Sequence, residues 1–376
     1  MSPEAGQSAA PTSVVLAGGG TAGHTSPLIA TAHELQLLRP DVELTAVGTT
    51  RGLETRVVPA AGLRLELIAP VPMPRRPNLD LARLPLRLWR AVAQAAALLR
   101  AVRADVVLGF GGYVSTPVYL AARRLRVPIV LHEQNAIPGL ANRVAARFTT
   151  SVFTSFPDTP LPHATEIGLP LRRSIVELDR SAERRSARLR FGLDPELPTL
   201  LVSGGSQGAR SINSAVAGAR DQLLARGISV LHVVGPANLT PDTVSVTDPD
   251  TGACYQPVAF VAEMEQAYAA ADLLLGRCGA STVLETAAVG LPAVFVPYPH
   301  GNGEQARNAT VVVEAGGGEL LPDADCTPQW AASHLPALLT DRPRLAGMSR
   351  ATAGVARNDA AVTLARHTLE VAGAWP

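Results

Sequence analysis

The residue types most able to do chemistry fall in two Gly-rich stretches and one long polar constellation. In "LAGGGTAGHTSPLIATAHEL", Leu16 to Leu35, Gly18, Gly20 and Gly23 spell G-x-G-x-x-G after a short apolar run, and His24 follows. A turn of this kind offers backbone N–H groups at a helix N-terminus, where an anion is favoured. The same dipole disfavours an imidazolium, so His24 reads as a neutral group able to accept a proton near pH 7. A dinucleotide site needs one more group, a carboxylate at the tip of the second strand to take ribose hydroxyls. That strand ends "TAVGTTRGLE", with Gly48 and Thr49 at its tip and Glu54 well into the next turn. The confirming carboxylate is missing from the tip. Arg51, which could meet a 2′-phosphate, keeps an NADP-dependent oxidoreductase as a remote alternative.

"TLLVSGGSQGAR" repeats the order strand, Gly-Gly, hydroxyl residue, x, Gly, with Gly204 matching Gly19. Two phosphate-type turns suit an enzyme that joins two phosphate-bearing molecules better than one that holds a single dinucleotide. The third stretch, "RCGASTVLETAAVGLPAVFVPYPHGNGEQARNA", starts at Arg277. Ser281 and Thr282 are placed to cap a helix carrying Glu285 in its first turn, where the macrodipole favours a negative charge. A fixed carboxylate of that kind can accept both hydroxyls of a ribose diol. Beyond the next strand lies a loop with His300, Asn302, Glu304, Gln305 and Asn308, whose amides offer donors and acceptors to a hydroxyl-rich sugar. Asp248-Pro249-Asp250 and Asp323-Ala324-Asp325 both spell D-x-D, a metal-diphosphate motif. Neither follows a strand beside a Gly-rich turn, and both read as solvated turns.

The elements that must position these groups alternate along the whole chain. Apolar runs near Ser13–Leu16, Glu43–Val47, Asp105–Leu108, Pro128–His132 and Ser151–Thr154 read as strands of one half. Runs near Thr199–Ser203, Ser229–Val234, Asp272–Leu275 and Ala293–Pro297 read as those of the other. Strands separated by helical stretches predict an α/β fold of two Rossmann-like, doubly wound parallel-sheet domains. The expected division is residues 1–170, residues 171–352, and a C-terminal helix over 353–376 that packs back on the first domain. With 376 residues, 47% hydrophobic and 17% charged, each half is large enough for its own core. A net charge of +1 gives no general attraction for nucleic acid. All 33 basic residues are Arg, so Schiff-base and Walker A lysine chemistry are excluded. Three dispersed cysteines, Cys254, Cys278 and Cys326, support neither a disulfide framework nor a zinc site.

"GGGTAGH", "GFGGYVSTP", "HEQNAIPGLANR", "GGSQGARSIN" and "RCGASTVLETAAVGLP" follow one another over roughly residues 14 to 310. Together they resemble the GT-B N-acetylglucosaminyltransferase family of peptidoglycan synthesis, which moves GlcNAc from UDP-GlcNAc to undecaprenyl-diphospho-MurNAc-pentapeptide. The resemblance implies a donor site in the second half. There Glu285 takes the uridine ribose, the backbone at Phe260 and Val261 the uracil, Ser206, Gln207 and Arg172 the UDP phosphates, and Glu304, Gln305 and Asn308 the sugar. It implies cleft residues Thr21, Gly23 and Asn135, and acceptor contacts at Gly19, Gly20, Gly111, Gly112 and Tyr113. The first Gly-rich turn then cradles the acceptor's diphosphate, with His24 as candidate base. Glu304 and Leu169 depart from the family's usual residues at their positions. His132 and Glu133 read as a strand-end brace.

The GT-B resemblance implies no obligatory cofactor or metal, the balanced charge implies no nucleic-acid partner, and the family's polyprenyl-linked acceptor implies a peripheral location at the cytoplasmic face of the bacterial membrane. The segment Pro72 to Arg103 holds seven Arg and one acidic residue among Leu79, Leu81, Leu84, Leu86, Leu88 and Trp89, which suits an anionic membrane surface. Another UDP-sugar transferase or a UDP-GlcNAc epimerase remains an alternative use of the same donor pocket.

Overall fold

The structure, a computed structural model, describes residues 11–50, 52–71, 79–241 and 243–375. The chain divides into two compact units. One comprises Met1–Gln134, Pro138–Pro170 and Asp359–Pro376, the other Asn135–Ile137 and Leu171–Asn358.

The first unit holds a parallel sheet of β1 (Ser13–Gly18), β2 (Glu43–Gly48), β3 (Arg64–Leu67), β4 (Val106–Gly111), β5 (Ile129–Glu133), β6 (Ser151–Thr154) and β7 (Ala164–Glu166). Their spatial order is β3-β2-β1-β4-β5-β6-β7. The second unit holds β8 (Thr199–Ser203), β9 (Ser229–Val233), β10 (Val246–Thr247), β11 (Cys254–Val258), β12 (Leu273–Gly276), β13 (Ala293–Phe295) and β14 (Gly318–Leu320). The order there is β10-β11-β9-β8-β12-β13-β14, with the β10–β11 pair antiparallel. Each sheet reverses its winding direction once, between β1 and β4 and between β8 and β12. Each Gly-rich turn follows the strand on one side of that reversal, where doubly wound sheets bind ligands.

The central strands are buried on both faces, Val14, Val15, Leu16, Val107 and Leu108 in one unit and Leu200, Leu201, Leu274 and Leu275 in the other being inaccessible. Each such side chain contributes on the order of 1.5–3 kcal/mol by leaving water. In the second unit Arg188, 3% exposed, donates to Ala270 O and Pro195 O and pairs with Asp272 at 2.7 Å, fixing the helix Arg180–Arg190 to the start of β12.

The chain returns to the first unit after Asn358. The helix Ala360–Val371 packs on the helix Ala22–Leu38, and its Leu364, Ala365 and Leu369 share a core with Leu16, Leu28 and Leu35. Arg39 Nη1 donates to Ala374 O at 2.8 Å, tying the last turn down. The division falls here and not at 352/353, because the preceding helix Arg342–Ala353 is held in the second unit. Ser349 Oγ donates to Gly290 O and Thr352 Oγ1 to Gly317 O.

Candidate functional site

At the first turn, Gly20 takes φ +92°, a left-handed conformation suited to glycine, and leads to Thr21, the cap of the helix Ala22–Leu38. Thr21 Oγ1 lies 2.9 Å from His24 Nδ1. Burial lowers the His24 pKa, opposed by the charge of Glu54, and so favours the neutral imidazole.

An anion does sit at this turn, but the chain supplies it. Glu54, the first residue of the helix Glu54–Ala60, is 1% exposed. Its Oε2 accepts the Gly20 N–H at 2.8 Å, and its Oε1 accepts the Thr49 N–H at 2.9 Å and the Thr49 hydroxyl at 3.2 Å. Burial by itself raises a carboxyl pKa; the Gly20 and Thr49 donors outweigh it and hold Glu54 below the usual range. The strand tip does therefore meet a carboxylate, one that folds back from the next helix with both oxygens engaged. Arg51 lies outside the described residues.

Gly111 ends β4 and Gly112 follows it, each with φ +84°, and Gly112 passes so close to the Gly19 carbonyl that a Cβ there would lie 2.5 Å from that oxygen. Tyr113 beside them is 62% exposed. Behind them His132 is inaccessible and meets Gly168 O at 2.9 Å, and burial takes its pKa down to about 4. Glu133 accepts the Gly139 N–H at 3.0 Å and Asn142 Nδ2 at 2.9 Å. His132 and Glu133 thus brace the loop.

The second turn is built differently. Gly205 N–H points to Ser203 Oγ at 3.4 Å and Gly208 N–H to Gly205 O at 3.0 Å, both neutral, while Ser206 and Gln207 are exposed. Asn238 Nδ2 donates to Gln207 O and Val234 O, bracing the turn from below. Close by in sequence, Ser211 donates to Asp323 Oδ1 at 2.6 Å. Asp323 also takes Arg277 Nη1 at 2.5 Å, and Arg277 reaches Val296 O and Pro297 O. Asp323 is therefore a buttress of the strand ends, not the solvated turn its sequence suggests. Asp248 does fold a local turn, accepting Asp250 and Thr251 N–H groups. Among the described residues no group of three or more His, Cys, Asp or Glu could hold a metal.

Glu285 lies on the helix Ala280–Ala288, but one turn later than expected. Gly279 is the cap, Ser281 and Thr282 are inside the helix, and the first turn carries no acid. Without the dipole's help, burial raises the Glu285 pKa, countered by Tyr268 and Arg172 and reinforced by Glu265. Tyr268, 2% exposed, donates its hydroxyl to Glu285 Oε2 at 2.7 Å. This partner was not read from the sequence; its one signal was a tyrosine inside the Ala-rich run "AYAAAD". Arg172 caps the short helix Arg173–Val176 and lies 3.8 Å from Glu265. Phe260 is 60% exposed beside buried Val261.

The amides divide in two. Gln305 Oε1 accepts the Tyr298 N–H at 2.9 Å, which orients its amide group. Asn308 is inaccessible: its Oδ1 accepts the Ala136 N–H at 2.9 Å and its Nδ2 faces Asn135 Oδ1 at 3.3 Å. The structure thus joins Asn135 and Asn308 within the second unit. Glu304 is half-buried at the start of the helix Glu304–Glu314, its N–H donated to Asn302 Oδ1 at 3.2 Å.

The helix Leu79–Ala101 buries Ala91, Ala95, Ala96 and Leu99 and exposes Leu86 and Trp89, at 52% and 64%. Arg75 and Arg76 lie outside the described residues. Among those described, no helix is long and apolar enough to cross a membrane.

Residues 14–154 match the glycosyltransferase family 28 N-terminal domain and residues 199–364 its C-terminal domain. A relative from a Nocardioides species is 55% identical, covering 95% of this chain and 98% of its own. One from Mycolicibacterium paratuberculosis is 54% identical over 96% and 89%. Both are named UDP-N-acetylglucosamine–N-acetylmuramyl-(pentapeptide) pyrophosphoryl-undecaprenol N-acetylglucosamine transferase. Among solved structures, Acinetobacter baumannii MurG superposes with a TM-score of 0.75 at 27% identity, over 96% of this chain and all of that one. The calicheamicin glycosyltransferase CalG4, at 18% identity and a TM-score of 0.64 over 96% and 98%, shares the fold. The chain belongs to glycosyltransferase family 28, among its UDP-N-acetylglucosamine–N-acetylmuramyl-(pentapeptide) pyrophosphoryl-undecaprenol N-acetylglucosamine transferases.

Proposed function

We propose that this enzyme transfers GlcNAc from UDP-GlcNAc to the 4-hydroxyl of MurNAc in undecaprenyl-diphospho-MurNAc-pentapeptide, with inversion at the anomeric carbon. The observation that carries this reading is likeness above 50% over nearly the whole length of relatives so named. The geometry supports a division of labour. In the second unit the open turn at Ser206 and Gln207, with Arg172, takes the UDP phosphates; Glu285 takes the ribose, and Gln305 the sugar. Donors fixed before the reaction stabilise the charge that develops on departing UDP, with no metal required. In the first unit His24, neutral and oriented by Thr21, accepts the proton of the attacking hydroxyl, and the Gly111–Tyr113 loop contacts the acceptor. Asn135 and Asn308 serve by shaping their loop.

The acceptor carries a polyprenyl chain, so the enzyme works peripherally at the cytoplasmic face of the membrane, with the exposed Leu86 and Trp89 and the neighbouring arginines meeting anionic lipid. Incubation with UDP-GlcNAc and a lipid-linked acceptor analogue tests the reaction: the expected product carries one added GlcNAc, and UDP release without transfer refutes the acceptor. Vesicle co-sedimentation of the Arg75→Glu/Arg76→Glu/Arg83→Glu variant tests the membrane contact, which unchanged binding refutes.

A further inference from the structure

The transfer chemistry above gives Glu54 no task, although the chain builds a seat for it. Its carboxylate is closed off from solvent and held by the Gly20 N–H, the Thr49 N–H and the Thr49 hydroxyl. The seat is lined by glycines. A Cβ on Gly19 would lie 2.8 Å from the carboxylate, one on Gly52 would collide with it, and one on Gly48 would collide with the Cγ of the same side chain. Three positions, one in the first turn, one at the end of β2 and one in the loop after it, thus lack side chains where this one passes. One residue beyond Gly20, Thr21 meets His24, so the carboxylate is linked by the turn itself to the candidate base. A diphosphate brought to Gly20 would meet a negative charge already in place, and like charges at contact distance disfavour each other.

We infer that Glu54 is a positioning residue for the transfer reaction, an internal anion that sets the shape of the first turn, and with it the Thr21–His24 pair, and closes the Gly20 N–H to the acceptor's diphosphate. The inference deepens, and rests on, the reading that the first turn serves the acceptor. The part of the acceptor beside Gly20 is then neutral, a hydroxylated sugar, and the diphosphate takes its donors elsewhere.

Steady-state kinetics with UDP-GlcNAc and a lipid-linked acceptor analogue, with inorganic pyrophosphate as anion probe, test this on Glu54→Gln and Glu54→Ala. Glu54→Gln keeps the volume but loses the charge and one accepting oxygen. Its kcat should fall by about tenfold or more, the worth of a charge-assisted hydrogen bond, with donor KM within about twofold of the wild type. Pyrophosphate should compete with the donor alone in the wild type, and gain competition with the acceptor in Glu54→Ala, where the Gly20 N–H is released. Wild-type kcat in Glu54→Gln overturns the inference, as does an equal loss of donor affinity, which marks a general folding role. Acceptor competition by pyrophosphate in the wild type also overturns it. If Glu54→Ala does not fold, the kinetics of Glu54→Gln and the wild-type inhibition pattern decide. His24→Ala separates this from the reading beneath it. Undiminished kcat there removes His24 as base, whereas a slow His24→Ala beside a normal Glu54→Gln removes only the role of Glu54.

Discussion

The two Gly-rich turns share a sequence pattern and a place beside the winding reversal of their sheets, yet they treat negative charge in opposite ways. In the first, Gly20 gives its N–H to Glu54, and burial lowers the pKa of the nearby titratable group, His24. In the second, the N–H groups of Gly205 and Gly208 have neutral local partners, Ser206 and Gln207 face solvent, and the nearby acid, Asp323, is held by Arg277. A turn that already holds an anion is suited to proton transfer next to a hydroxyl nucleophile. A turn left open is suited to a diphosphate that must be bound and released. Gly-x-Gly spacing specifies a backbone shape; whether that shape binds phosphate depends on which side chain reaches it first.

Substitutions on either side can break this contrast. The largest effect is expected from His24→Ala, which should lower kcat by about 10²–10⁴-fold, the usual worth of a general base, with UDP-GlcNAc affinity unchanged. Parallel loss of donor binding, by calorimetry with UDP, would place His24 on the wrong side. Next, Tyr268→Phe removes the hydroxyl that orients Glu285 and should raise donor KM by about tenfold, as for a lost hydrogen bond to a charged group. Preference for UDP over 2′-deoxy-UDP should shrink with it, and an unchanged preference would show that Tyr268 does not serve the diol. A smaller, graded effect is expected with pH. A general base works when neutral, and the His24 pKa lies below 6.5, so with His24 in that role the acid limb of the pH–rate profile should fall below pH 6.5. A limb at or above 6.5 counts against His24. The smallest effect is expected for Asp248→Asn, whose carboxylate serves its own turn; a loss of activity restored by added divalent metal would reopen the D-x-D reading.

The legible parts of the fold were the central strands. β6 and β8 match their expected bounds, and the other interior strands agree to within two or three residues, because a strand covered on both faces must be continuously apolar. The unread strands are β3, β7, β10, β11 and β14, which lie at or next to the sheet edges. Arg64–Leu67 alternates polar and apolar and Gly318–Leu320 is three residues long; neither stands out from a loop without its neighbour. At the site, Glu285 and His24 were legible by type and spacing. The cap of the Glu285 helix was not, since Ser281 and Thr282 favour a cap by propensity while the chain enters the helix at Gly279.

Composition, the two Gly-rich turns and the ordered motifs determined by themselves the α/β class, the duplication and the transferase family, because each is a local pattern that survives without knowledge of contacts. The tertiary structure alone decided where the charges go. Glu54 is thirty-four residues from Gly20, Tyr268 seventeen from Glu285, and Asp323 forty-six from Arg277. A carboxylate's role is set by the donors within about 3 Å of it, a distance that folding, not spacing along the chain, controls.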